Sequence, residues 1–241
     1  MIEFFKVILY EPFLNLLVFF YNVIPGHDLG VSIVFLTLSI KLLLLPLSMK
    51  AVKGQKELKE LQPKLDEIKK KYAKDKEKQT KATMNLYKEN KVNPFSSCLP
   101  LLIQLPILIA VFQVFRTGLT DTNLPVYSFI HNPGALNTIG FGFLVLSAPN
   151  IFLAVITGVA QYIQASMLSG VSPLKSVAKK EGAKDESMMT TMNKQMKFMM
   201  PVMTIIIGST LPSGLMIYWL IGIVFTILEQ KIIFKRKSIH T

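Results

Sequence analysis

Long apolar runs alternate along this chain with short intervals that are either heavily charged or rich in glycine and proline, and the run lengths predict membrane-spanning helices. Residues 12–25 form a short apolar stretch broken by Asn15 and Asn22. Its fourteen residues suit an interfacial helix within an N-terminal segment 1–28, and a full span starting near Phe4 is the competing assignment. The first clear span covers 29–49. A charged stretch, 50–92, follows, in which Leu58, Leu61, Leu65, Ile68 and Tyr72 recur at steps of three and four, a narrow apolar stripe on an otherwise polar helix. A second helix fits 77–90, with Met84 and Tyr87 on one side. The polar turn Ala73-Lys-Asp-Lys76 between them predicts an antiparallel helical hairpin, and Pro63 is expected to bend or restart its first helix. Such a stripe reads first as the hairpin's own seam, and a partner-docking face is the sharper alternative. Further spans fit 99–116, 149–168, 196–211 and 213–232, the last two joined by the short Leu211-Pro-Ser-Gly214. The fold class is therefore an all-α integral membrane protein with five transmembrane helices and a helical hairpin.

Charge sets the expected orientation. Of the 241 residues 51% are hydrophobic, yet the formal net charge is +12, and it is unevenly spread. Residues 50–91 hold 14 Lys against 7 Asp and Glu, whereas the loop 117–148 has neither Lys nor Arg. The segment 169–197 carries six lysines, and Lys235-Arg236-Lys237 closes the chain. Cytoplasmic loops of membrane proteins are enriched in Lys and Arg. The hairpin 50–92, the loop 169–195 and the tail 233–241 are thus expected in the cytoplasm, the loop 117–148 and the N-terminus outside, in a plasma (inner) membrane. No nucleic-acid module accompanies the basic charge. The single Cys98 excludes an internal disulfide and a multi-cysteine zinc site, and His27, His131 and His240 lack metal-ligand spacing, so no cofactor is expected. Glu3, Lys6 and Glu11 do not form the basic start of a cleaved signal.

The candidate chemistry lies inside the spans. Lys41 stands alone in the apolar run Val31–Leu47, nine residues inward from Lys50, or roughly 13 Å along a helix. A cation at that depth costs roughly 2.5–3.5 kcal/mol on insertion scales and normally faces a bundle interior or a water-filled cavity. Gln104, Gln161 and Gln164 also lie within spans, and Trp219 sits on the last one. For any one glutamine, interhelical hydrogen bonding is an equal reading, but a cation plus amides on different helices favours a hydrated polar cavity. No Walker loop, dinucleotide fingerprint, His-Glu-x-x-His or nucleophile–base pair is present, which argues against an enzyme. The first four spans hold no carboxylate, and Glu229 falls at the cytoplasmic end of the fifth, which argues against a proton relay.

Several segments, in order, resemble the YidC/Oxa/Alb membrane protein insertases over nearly the whole length. They are Val31–Pro46 with its lone cation, Leu61-Gln-Pro-Lys-Leu65 followed by Met84–Pro94, Cys98-Leu-Pro-Leu-Leu-Ile-Gln-Leu-Pro-Ile107, and Leu211–Trp219. The resemblance implies five core helices around a groove open to the cytosol and lipid but closed outside. Its central cation, usually arginine, falls on Lys41, and its polar groove positions on Gln104, Gln164 (or the neighbouring Gln161) and Trp219. The implied function is insertion of nascent membrane proteins into lipid without nucleotide hydrolysis, with the ribosome and a Sec-type translocon as further partners. A small-solute channel or transporter, and a membrane scaffold that docks a cytoplasmic partner, are the rival readings. The methionines Met188, Met189, Met192, Met196, Met199, Met200 and Met203 read as lipid-facing or packing residues, with an adaptable client-contact surface as the alternative.

Overall fold

The computed structural model describes residues 2–93, 99–121, 124–168 and 197–235, and these are the residues discussed below. Cys98, Pro94, the loop 169–196 with its first methionines, and the last six residues lie outside them.

The first helix, α1, runs over Glu3–Val23 and is 21 residues long. It is long and apolar enough to cross a membrane and is not confined to residues 12–25. Pro12 cannot donate a backbone hydrogen bond, and the chain absorbs this in a widened turn, Lys6–Tyr10, where the Glu11 amide reaches back to the Lys6 carbonyl. Lys6 and Glu11 pair at 3.9 Å, which offsets two of the charges that mask this helix in the sequence. Its inner face, Phe13, Leu14, Leu17, Val18 and Tyr21, is buried.

Helix α2 spans Leu29–Lys71, 43 residues or about 65 Å, joining the expected first span and the first arm of the hairpin into one rod. Asp28 caps it by accepting from the Val31 amide. It passes through Pro46 and Pro63 without restarting. Just before Pro63, Leu58 and Leu61 pack on Val92 and Tyr87. The apolar stripe thus includes the seam between α2 and helix α3, Lys76–Glu89. Helix α3 begins at Asp75, whose side chain accepts from the Lys78 amide at 3.0 Å.

Helix α4 covers Leu99–Thr120, α5 Ile151–Leu168, α6 Lys197–Gly208 and α7 Ser213–Lys235. Five helices, α1, α2, α4, α5 and α7, are long and apolar enough to span a membrane; the described part of α6 is shorter. Residues of α1, α2, α4 and α7 meet in one apolar core that includes Leu14, Ile33, Leu36, Val111, Phe115 and Tyr218. This core fills the end of the bundle farther from the hairpin.

That end is covered by the segment between α4 and α5, which folds over the helix ends instead of projecting away. A two-stranded hairpin, β1 Ile139–Gly140 and β2 Leu144–Val145, sets Gly140 against the start of α2. A Cβ on Gly140 would lie 2.9 Å from the Gly30 backbone, so two glycines are needed where the chains touch. Asp28 ties the hairpin down by accepting from the Phe141 amide at 2.6 Å. Asn15 accepts from Tyr127 N at 2.6 Å, and Asn22 donates to the His131 carbonyl at 2.7 Å, so both polar interruptions of α1 hold the cover. Its far edge is clamped to the α6–α7 turn, where Ser213 Oγ donates to the Ala148 carbonyl and Gly214 N to that of Leu146.

Candidate functional site: a polar seam between the long helix and the last one

Helices α2 and α7 run parallel and keep register. Gly214 faces Ile33, Gly222 faces Lys41, and Glu229 faces Ser48, at steps of eight and seven on both helices. Tyr218, Gly222, Thr226 and Glu229 follow one another at steps of four, four and three, which puts them on one face of α7.

Along this face the contacts turn from apolar to polar. Near the covered end Gly214 rests on Ile33. Next, Gln104 of α4 donates to the hydroxyl of Tyr218, itself 2% exposed, at 3.2 Å. One turn on, Lys41 lies over Gly222, where a Cβ would meet its Cε at 3.2 Å and its Nζ at 3.7 Å. The ammonium donates to Thr226 Oγ1 at 3.4 Å. Because the Thr226 hydroxyl spends its own proton on the Gly222 carbonyl at 2.9 Å, its lone pairs are left for the lysine. Beyond it, Ser48 donates to Glu229 Oε2 at 2.7 Å. Glu229 is 6% exposed, and its Oε1 is buried without a hydrogen-bond partner among the described residues. Lys56 donates to the Ile233 carbonyl at 3.4 Å, and Lys59 to that of Met167 at 2.8 Å while lying over Phe234. These cations meet the carbonyl-rich ends of α7 and α5, where the helix dipoles favour positive charge.

The remaining sequence candidates are placed differently. Trp219 is half-buried beside Tyr218, but one residue off the shared face. Gln161 is hydrogen-bonded to Thr204 of α6, so it belongs to a separate α5–α6 junction, and the half-buried Gln164 lies one turn further along. Next to that junction is an apolar groove of about 190 Å³ between Gly158, Val159, Tyr162, Phe198, Pro201, Val202 and Ile205. Lys41 and Gln104 thus converge on one stripe of α7 without touching each other. Sequence reading missed Ser48, Gly222 and Thr226, and it treated Glu229 as a helix end. The available signal was the shared seven- and eight-residue spacing of small and polar positions on two apolar helices.

The chain can be set beside known proteins. A family model described as 60Kd inner membrane protein matches residues 19–240. The membrane protein insertase YidC of Fusobacterium nucleatum is 37% identical, over 87% of this chain and 87% of that protein. That of Clostridium tetani is 35% identical, over 82% and 78%. The longer one of Magnetococcus marinus is 31% identical over 94% of this chain, which spans only 35% of it. A crystal structure of an active YidC insertase with its first transmembrane domain resolved superposes with a TM-score of 0.62 at 27% identity, covering 94% of this chain and 47% of that one.

Proposed function

We propose, from the premise that the chain belongs to the YidC membrane protein insertase family, that the α2–α7 seam is the place where it lowers the cost of moving a client's polar flank into the bilayer. The chain is a multi-pass protein of the inner membrane and a membrane protein insertase. The lysine distribution puts the hairpin, the 169–196 segment and the tail in the cytoplasm, with the β1–β2 cover outside. The single observation that carries the reading is the position of Lys41. Within the apolar part of α2, its ammonium turns inward to Thr226 and does not reach out along the helix.

A nascent membrane protein must pass a short hydrophilic flank through hydrocarbon, where unpaired backbone and charged groups each cost several kcal/mol. Lys41, Thr226, Ser48 and Gln104 offer donors and acceptors part-way across. The ammonium attracts acidic flank residues, and a membrane potential positive outside favours their outward movement by roughly 2.3 kcal/mol per charge per 100 mV. The client's apolar segment meanwhile leaves along the lipid-facing helices. Gln161, Gln164 and Trp219 flank that exit. The cover on the outer end confines the polar path to the cytoplasmic side, so a flank can enter without opening a continuous pore. Lipid partitioning drives the process, with no catalytic chemistry and no nucleotide. The basic hairpin and tail face the nascent chain, the ribosome or a Sec-type translocon, since clustered lysines attract a polyanion.

In proteoliposomes, Lys41→Ala is expected to reduce insertion of clients with acidic flanks at least tenfold, measured by protease protection, and Lys41→Arg to keep it. Normal insertion of such clients by Lys41→Ala would refute the reading.

A further inference from the structure

The seam contains a carboxylate that the proposed insertion path does not use. Glu229 is buried between α2 and α7; one oxygen is held by Ser48 and the other has no hydrogen-bond partner among the described residues. An ionised carboxylate in such a place needs a cation to offset its lost hydration. Lys56 is engaged by Glu60 and the Ile233 carbonyl, and Lys59 by the Met167 carbonyl and Phe234. Lys231 is exposed, on another face of α7. The cation on Glu229's own face is Lys41. Its ammonium sits at Thr226, three residues or about 4.5 Å of helix rise from Glu229. The two groups carry opposite charges on one face of the seam, and at 3.4 Å the Lys41–Thr226 contact is at the long limit of a hydrogen bond.

We propose that Glu229 is the resting counter-ion of Lys41 and sets the charge threshold a client must exceed: an acidic flank is accepted by replacing Glu229 as the lysine's partner. This rests on the reading that Lys41 receives client flanks. The arrangement explains how a cation can wait inside an apolar bundle without a client. It also makes the response graded, because a flank with one acidic residue competes with the built-in carboxylate about evenly, whereas a flank with two outweighs it. Ser48 holds Glu229 toward α2, the helix that carries Lys41.

The test compares insertion of one client carrying either an acidic flank or the same flank with Asp→Asn changes, by the full chain in proteoliposomes. The ratio of the two within one vesicle preparation cancels differences in folded protein. Glu229→Gln is expected to raise this ratio roughly three- to tenfold, as removal of a neighbouring opposite charge at intermediate dielectric should. The same change in a Lys41→Ala background should leave the ratio where Lys41→Ala alone puts it. If Glu229→Gln is not recovered from membranes, the exchanged pair Lys41→Glu/Glu229→Lys keeps both charges and is expected to favour lysine-bearing flanks. An unchanged ratio in Glu229→Gln, while Lys41→Ala still lowers it, overturns the role of Glu229 and leaves the insertion reading standing. A wild-type ratio in Lys41→Ala overturns that reading and this one with it.

Discussion

A lysine can lie inside this bundle because a glycine makes room for it. Gly222 is buried, and any Cβ there would come within 3.2 Å of Lys41 Cε. The atom it would meet is near the end of a flexible side chain, so Gly222→Ala should fold and merely push the ammonium off Thr226. Insertion of acidic-flank clients should then fall several-fold with little change in thermal stability, whereas Gly222→Leu should abolish it. Unaltered insertion by Gly222→Leu would mean that Lys41 does not work from this position. Lys41 was legible in the sequence because a lone cation in an apolar run has no cheap explanation. Gly222, Thr226 and Ser48 were not, because small residues on apolar helices look the same whether they pack against a neighbour or cradle a charge. Gln161 was ambiguous in the sequence, which offered a groove position and an interhelical bond as equal readings. An amide within a span can serve a groove or join two helices, and here it is bonded to Thr204.

At the scale of elements, composition located the apolar helices better than it located their ends. The assignment at 12–25 rested on a fourteen-residue apolar stretch holding two asparagines, and the helix instead runs from Glu3 to Val23, the length of the competing span from near Phe4, with Lys6 and Glu11 paired within it. Pro63 was expected to bend or restart the hairpin arm; α2 does not restart there but runs on to Lys71, with Leu58 and Leu61 packed on Val92 and Tyr87 just before it. The register between α2 and α7 could not be read from either helix alone, because a parallel seam is a property of the pair. The hairpin's turn, by contrast, is local chemistry. The Lys78 amide and side chain hold the Asp75 carboxyl below its ordinary range. A depressed folded value means the cap is fully present above the ordinary carboxylate range and is lost as pH falls through the depressed one. Amides at the start of α3 should therefore stay protected from hydrogen exchange down through mild acid and open below it. Asp75→Ala should open them at neutral pH. Equal protection in Asp75→Ala would show that the cap contributes nothing to the hairpin.

Taken as a whole, the molecule is asymmetric across its proposed membrane: a filled apolar core and a tied-down cover at one end, and a polar seam leading to a basic hairpin at the other. On the proposed insertion reading, that asymmetry lets a polar path exist without a leak, and one side chain ties the cover to α2. Asp28 uses Oδ1 to cap α2 at Val31 and Oδ2 to hold the hairpin tip through the Phe141 amide. Ser32, one turn into α2, is fully buried and donates its hydroxyl to the Asp28 carbonyl at 2.7 Å. In a Cys98→Ser background, a Ser32→Cys thiol should therefore be shielded from a membrane-impermeant thiol reagent added on the side of the 117–148 segment. Adding Asp28→Ala removes both bonds at once and should speed labelling at least tenfold. If the thiol reacts equally fast with Asp28 intact, the cover does not seal the bundle, and the one-sided path would have to be closed by the apolar core around Leu36, Val111 and Phe115 alone.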